Sequence, residues 1–263
     1  MSKNESPWKL AHLNYACVKD QRFEVAVLPL GCTEPHNLHL PYGTDTLEGD
    51  AIGEAICRVA HDKGARVVLL PTIPYGTTSN QRGLPLSMNV NPSTLHAVIT
   101  DLVNALDVCG IRKLLLLNSH GGNELKPLMR ELFGQTGVRI FLCDWFRALG
   151  DVYSEIFDAK DDHAGEMETS IMLACYPELV GKHPDGTLTA DDGATRPTRF
   201  DAVNSGWVSI TRPWQGLTTN TGAGNPHAAT ADKGRKAIDL LANRIGQFLA
   251  ELSDSEIDEK FPF

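Results

Sequence analysis

Lys113-Leu-Leu-Leu-Leu-Asn118-Ser-His-Gly-Gly-Asn123 sets four consecutive leucines before a short polar turn that carries two glycines and a histidine. A strand with no polar alternation has no face for water. It suits a parallel sheet covered on both sides. Reading outward, Glu24 to Leu30, Arg66 to Leu70 and Val138 to Leu142 are further apolar runs of strand length. Between them lie stretches with apolar residues at helical spacing. These are Thr46 to His61, a segment opened by Asn91-Pro92 with Asn91 as cap, about Asn123 to Phe133, about Ala164 to Cys175, and Thr230 to Leu252. Thr187 to Gly224 is rich in Gly, Thr and Asp and carries no clear period. Strand–helix alternation of this kind predicts an α/β fold with a mostly parallel sheet and helices on both faces. No linker-like stretch divides the chain, so residues 1–263 read as one domain, with about ten peripheral residues at each end.

In such folds ligands bind beyond the carboxyl ends of the strands. The loop after the first strand reads Gly31-Cys-Thr-Glu-Pro-His-Asn-Leu-His-Leu-Pro-Tyr-Gly-Thr-Asp45. It holds Glu34, His36, His39 and Asp45, the oxygen and imidazole donors that bind zinc, manganese or iron. Glu34 and His36 are two apart and point to one side of an extended backbone. Asp45 reads as a ligand or as the cap of the following helix. His120, at the end of the leucine strand between small residues, is placed as a ligand or a base. The glycine pair beside it lacks the spacing of a nucleotide loop.

A third segment, Asp161-Asp-His-Ala-Gly-Glu-Met-Glu-Thr-Ser170, opens a helix. On a helical wheel Glu168 falls about 20° from Cys175 and Glu166 nearly opposite it. Glu168 is therefore read as inward-facing and Glu166 as outward. An inward carboxylate must be paired or bind a metal. His163 sits at the helix start.

The formal net charge is −9 and the pI about 5.4, which argues against nucleic acid or an anionic membrane as a partner. Six cysteines without a CxxC pair fit a reduced, cytoplasmic protein. The first ten residues lack the apolar segment of a signal peptide. The acidic stretch Ser253 to Lys260 reads as a solvated tail.

Together the three segments resemble the creatininase (creatinine amidohydrolase) family. Its pattern runs Glu-x-His-x-x-His-Leu-Pro-x-Gly-Thr-Asp, then Asn-x-His-Gly-Gly-Asn, then His-Ala-Gly-Glu-x-Glu-Thr-Ser. The matching stretches here are Glu34 to Asp45, Asn118 to Asn123 and His163 to Ser170, with Pro74-Tyr-Gly76 and Gly222 to Pro226 as further landmarks. The resemblance implies a three-layer α/β/α sandwich, two divalent metal ions and a homo-oligomer, often a hexamer. It implies Glu34 and His120 on one metal, His36 and another carboxylate on the second, and Asp45 bridging. Creatininase itself carries a glutamate where this chain has Gly122, so the remaining ligand is assigned to Glu168. His163 matches the catalytic histidine region.

The implied activity is hydrolysis of a non-peptide, cyclic-amide or formamide-type C–N bond of a small molecule. A hydroxide generated at the metals attacks the amide carbon, and His163 donates a proton to the leaving nitrogen. Thr78, Asn118 and Asn123 are expected to orient substrate. His39 is expected to orient Glu34 or Asp45. Trp145 or Trp207 could stack on a flat ring. Glu34-Pro-His-Asn37 and Leu84-Pro-Leu-Ser87 depart from the usual Glu-Gln-His-Gly and Phe-Pro-Gly-Thr. Two other readings compete. A two-metal phosphoesterase would need cations near the motifs, for which Arg82, Arg112 and Lys113 are the candidates. A binding protein that kept the fold would have no catalysis.

Overall fold

The computed structural model describes residues 6–160 and 163–263; Asp161 and Asp162, part of the third motif, lie outside the described residues. The strands are β1 (Val25–Leu30), β2 (Val67–Leu69), β3 (Lys113–Asn118) and β4 (Arg139–Asp144). The helices are α1 (Tyr15–Val18), α2 (Thr44–Asp62), α3 (Pro92–Val108), α4 (Lys126–Leu132), α5 (Glu166–Cys175), α6 (Asp201–Asn204), α7 (Trp214–Leu217) and α8 (Ala231–Asp254).

The sheet order is β2-β1-β3-β4, and every pair of neighbours is parallel. The period of two along each strand divides the core. Val25, Val27, Leu115 and Leu117 pack with Ile52 and Ile56 of α2, Ile171 of α5 and Leu241 of α8. Ala26, Leu28, Leu114 and Leu116 pack with Leu95, Ile99 and Val103 of α3, with Leu128 of α4 and with Leu125 just before it. This is the three-layer α/β/α arrangement, and it explains the leucine run. All four leucines are buried, each contributing about 1.5–3 kcal/mol relative to an exposed side chain.

On the first of these faces α8 packs against both α2 and α5. At Gly234 a Cβ would collide with the Ser170 carbonyl, so only glycine permits the close approach of α8 to α5.

The chain ends depart from expectation. Trp8 is buried, and its carbonyl accepts from Leu69 N–H at 2.7 Å. Residues 8 and 9 therefore cover the free edge of β2, an edge that would otherwise leave unpaired backbone groups. In the segment read as a solvated tail, Asp254, Glu256, Asp258, Glu259 and Lys260 are exposed, while Ser253 is buried and Phe261 just beyond packs against Phe141 of β4. Lys113 Nζ donates to the carbonyls of Leu252 and Ser255 at 2.7 and 2.5 Å, where a cation complements the carboxyl end of α8. The Asn91 side chain accepts from Arg82 rather than capping α3. Among the described residues no helix is long and apolar enough to cross a membrane, and all six cysteines are free.

Candidate metal centre

Leu30 and Asn118 are direct neighbours at the carboxyl ends of β1 and β3. From β1 the chain crosses to β2 on one side, then returns to β3 on the other, so the crevice opens where the strand order reverses. The loops carrying Glu34, His36 and His120 leave from this point. Asp45 is not a cap. It occupies the first turn of α2, behind Gly43. Glu168 reaches in from the first turn of α5, and its Oε2 accepts from Ala164 N–H at 2.5 Å. His163 precedes that helix, held by reciprocal backbone hydrogen bonds with Ala223.

Asp45 stands between two donor groups. Its Oδ1 lies 2.9 Å from His36 Nε2, and its Oδ2 lies 3.2 Å from His120 Nδ1. Glu34 Oε1 is 3.0 Å from the same His120 nitrogen and 3.7 Å from His163 Nδ1. Donor atoms of Cys32, Glu34, Asp45 and His120 fall within 4.8 Å of one another, as do those of His36, Asp45 and Glu168, and those of Glu34, His36 and His163.

Each histidine is oriented by a backbone carbonyl. His36 Nδ1 meets Glu34 O, His120 Nε2 meets Thr77 O, and His163 Nε2 meets Pro35 O, all at 2.9 Å. A carbonyl only accepts, so these nitrogens carry the protons. His36 Nε2, His120 Nδ1 and His163 Nδ1 then face the cluster, where a metal ion in place of a proton would take their lone pairs, the arrangement that fixes metal-binding imidazoles. Glu34 is fixed in the same way: Thr78 Oγ1 and Gln81 Nε2 each donate to its Oε2 at 2.6 Å, and Oε1 is left for the site.

The electrostatics call for a counter-charge. Burial raises the pKa of Glu34 and Asp45, but His120 and His36 respectively outweigh it. Glu34 falls to about 2, and Asp45 lies well below the carboxylate range. Burial would neutralise His36, yet Asp45 lifts it to about 10, and Glu34 chiefly lifts His120. Burial raises Glu168 in spite of His36 and His163. Asp45 Oδ2 is buried with no well-formed hydrogen bond. Clustered buried carboxylates facing oriented imidazoles fit divalent cations and would be costly without them.

The structure reassigns several residues. Thr78, Asn118 and Asn123, expected to face substrate, are buried and engaged within the protein. Thr78 holds Glu34. Asn118 Nδ2 donates to His120 O and Asp144 Oδ1. Asn123 accepts from Thr77 N–H and donates to Asn118 Oδ1. His39 shares a 2.8 Å hydrogen bond with Thr169 Oγ1, not with Glu34 or Asp45, and so ties the first loop to α5. Glu166 is not outward. It is fully buried, accepts from Asp158 and Ala159 N–H, and pairs with Lys233. The cause is that α5 is covered on two sides, by α2 and by α8. Trp145 belongs to the core and Trp207 is exposed. The cations weighed for a phosphoesterase are engaged elsewhere. Arg82 donates to Asn91, Arg112 pairs with Asp107, and Lys113 lies at the opposite end of β3.

Four residues escaped the sequence reading. Gln81 had no signal. Cys32 looked like a small core residue. Glu48 follows Asp45 by three positions, which puts both on one face of α2; it is fully buried with both oxygens unpartnered, and burial, with Glu168 and Asp45 nearby, pushes its carboxyl well above the usual range. Trp214 presents its edge to His163 at 5.5 Å between centroids and packs with Leu84, Leu217 and Ala223.

Residues 11–249 match the sequence profile of the family described as creatininase, creatinine amidohydrolase. The chain belongs to the creatininase family. Creatinine amidohydrolase of Pseudomonas putida is 30% identical over 194 residues, covering 64% of this chain and 72% of that protein. Mycofactocin precursor peptide peptidase of Mycobacterium ulcerans is 28% identical over 232 residues, 84% of each. A crystal structure of a candidate creatinine amidohydrolase from Bacteroides fragilis superposes with a TM-score of 0.88 at 34% identity, covering 97% of this chain and all of that one. Creatininase-family membership places the chain among hydrolases whose relatives act on different substrates.

The creatininase pattern also gives Gly122 a meaning. A Cβ there would stand 2.5 Å from His120 Nε2 and closer still to Thr77 O. A side chain at 122 would force Thr77 or His120 to move, and the carboxylate of Glu168, not a group at 122, has a donor atom within 4.8 Å of those of His36 and Asp45.

Proposed function

We propose that this creatininase-family protein is a metal-dependent amidohydrolase that opens a non-peptide C–N bond of a small molecule, of cyclic-amide or formamide type. The observation that carries the reading is Asp45, whose two oxygens address two different histidines. Glu34, Asp45 and His120 would hold one divalent ion, and His36, Asp45 and Glu168 the second; oxygen and imidazole donors suit zinc, manganese or iron. Such ions, when bound, make a nucleophilic water available near neutral pH and polarise the amide carbonyl.

His163 holds a proton on Nε2 through Pro35 O, so Nδ1 is the nitrogen that gains and delivers the proton to the leaving amine. Glu34 Oε1, 3.7 Å away, stabilises the protonated ring. Leu84, Trp214, Leu217 and Ala223 form an apolar wall beside it. Glu34, His36 and Asp45 are at most 1% exposed, which favours a compact substrate over an extended chain. A second reading, cleavage of a peptide bond, rests on the similarity to the mycofactocin precursor peptide peptidases. A homo-oligomer follows from the family resemblance, and exposed Phe200, Trp207 and Ile210 suit an interface that sedimentation would detect.

The test is metal content per chain for wild type and Asp45→Ala, followed by turnover on cyclic amides, formamides and short peptides. Close to two ions in wild type, a sharp fall in the variant and turnover of a small amide support the proposal. A protein that takes up no zinc or manganese refutes it, and turnover confined to peptides establishes the second reading.

A further inference from the structure

Cys32 stands where β1 gives way to the first loop, fully buried. Its surroundings differ from those of the other buried thiol. Cys57 lies among Ile52, Ile56 and Ala60 in the apolar core. Cys32 instead sits beside the His120 imidazole and the carboxylates of Glu34 and Asp45. Its Sγ shares the 4.8 Å cluster with donor atoms of Glu34, Asp45 and His120. The neighbouring Asp45 Oδ2 is buried and has only the His120 Nδ1 contact at 3.2 Å, which is not a well-formed hydrogen bond. The sulfur thus lies among the donors of one ion position and apart from the other, which is built from His36, Asp45 and Glu168.

We infer that Cys32 is a fourth donor to the ion held by Glu34, Asp45 and His120, binding through its thiolate and making that position selective for a thiophilic ion. The inference rests on the metal reading above. On binding, the thiol proton passes to buffer while Sγ donates its lone pair to the ion. Sulfur favours zinc, ferrous iron or cobalt over manganese, whereas the oxygen-rich position of His36, Asp45 and Glu168 tolerates manganese. The two ion positions are then chemically unequal, and a protein offered zinc and manganese together fills them with different metals.

Cobalt(II) reports thiolate ligation directly, through a sulfur-to-metal charge-transfer band in the near ultraviolet. Wild type and Cys32→Ser are loaded with cobalt, and bound metal is counted by elemental analysis. The expected result is a band in wild type that is absent from Cys32→Ser while the variant still binds cobalt. In zinc–manganese competition the variant's preference for zinc should fall on the order of tenfold. Two cobalt ions bound in wild type without the band overturn the ligand role and leave the metal reading standing. A band that persists in Cys32→Ser, from exposed Cys109 or another thiol, also overturns it. No cobalt bound at all overturns both. Should the variant fail to fold, X-ray absorption of zinc-loaded wild type decides alone, through the presence or absence of a sulfur neighbour at about 2.3 Å.

Discussion

Replacing Gly122 by alanine should damage the metal centre without touching any residue that could hold a metal. The added methyl would point between His120 Nε2 and Thr77 O, which now share a 2.9 Å hydrogen bond. Its carbon would stand 2.5 Å from the nitrogen and closer to the oxygen, whereas carbon atoms rest about 3.5–4.0 Å from their neighbours, so the pair must open by about 1 Å. Two consequences follow. Overpacking of this kind costs about 1–3 kcal/mol, and at about 2–4 °C per kcal/mol for a chain of this size the melting temperature of the metal-free protein should fall by roughly 2–12 °C. Loss of the carbonyl that orients His120 should weaken metal binding about 10–100-fold. Only the position shared by His120, Glu34 and Asp45 should respond strongly, so calorimetric titration with zinc should show one weakened and one nearly unchanged site. Gly122→Glu should behave no better, because its carboxylate would start from the same blocked Cβ. An alanine variant with two unperturbed sites and the wild-type melting temperature would refute the close approach and, with it, the steric case for Glu168.

Glu168→Gln should lower bound metal from about two ions per chain toward one, measured by elemental analysis, because the His36 position loses a charged donor. Unchanged stoichiometry would remove Glu168 from the site. His163→Asn should keep the metal and lower kcat by about 10²–10⁴ on any amide the wild type turns over; loss of an ion instead would make His163 a ligand, as its place beside Glu34 and His36 also allows. Burial and the positive charge of His36 push His39 down to about 4. The folded state therefore keeps His39 neutral while the unfolded chain takes up a proton near its ordinary ~6.5. This contribution is complete above pH ~6.5 and is lost as pH falls toward 4, on the order of 3 kcal/mol over the window. Urea unfolding of metal-free wild type should steepen in its pH dependence there, and His39→Gln should flatten it.

The alternation of apolar runs and helical stretches was enough to predict the layers, since a leucine run of strand length has one comfortable place, covered on both faces. It also pointed to one end of the sheet, where Glu34, His36 and Asp45 lie in the loop after β1 and His120 in the loop after β3, and there their donor atoms cluster. What the residue order could not supply was which groups meet. Glu166 and Glu168 share the first turn of α5, and a helical wheel assigns Glu168 inward and Glu166 outward; in fact Glu166 is the fully buried one and Glu168 is partly exposed, because α8 covers the side the wheel left to solvent. The roles of Thr78, Gln81 and Cys32 depend on a segment some forty residues downstream of Glu34 and on a neighbouring strand end. Periodicity senses only whether a face is covered, not by what. Residue order and periodicity were enough for the α/β layering, the end of the sheet to examine and the types of donor side chain found there. Only the tertiary structure decided the two-sided role of Asp45, the blocked position at Gly122 and the thiol beside His120, because these are distances between segments brought together by packing.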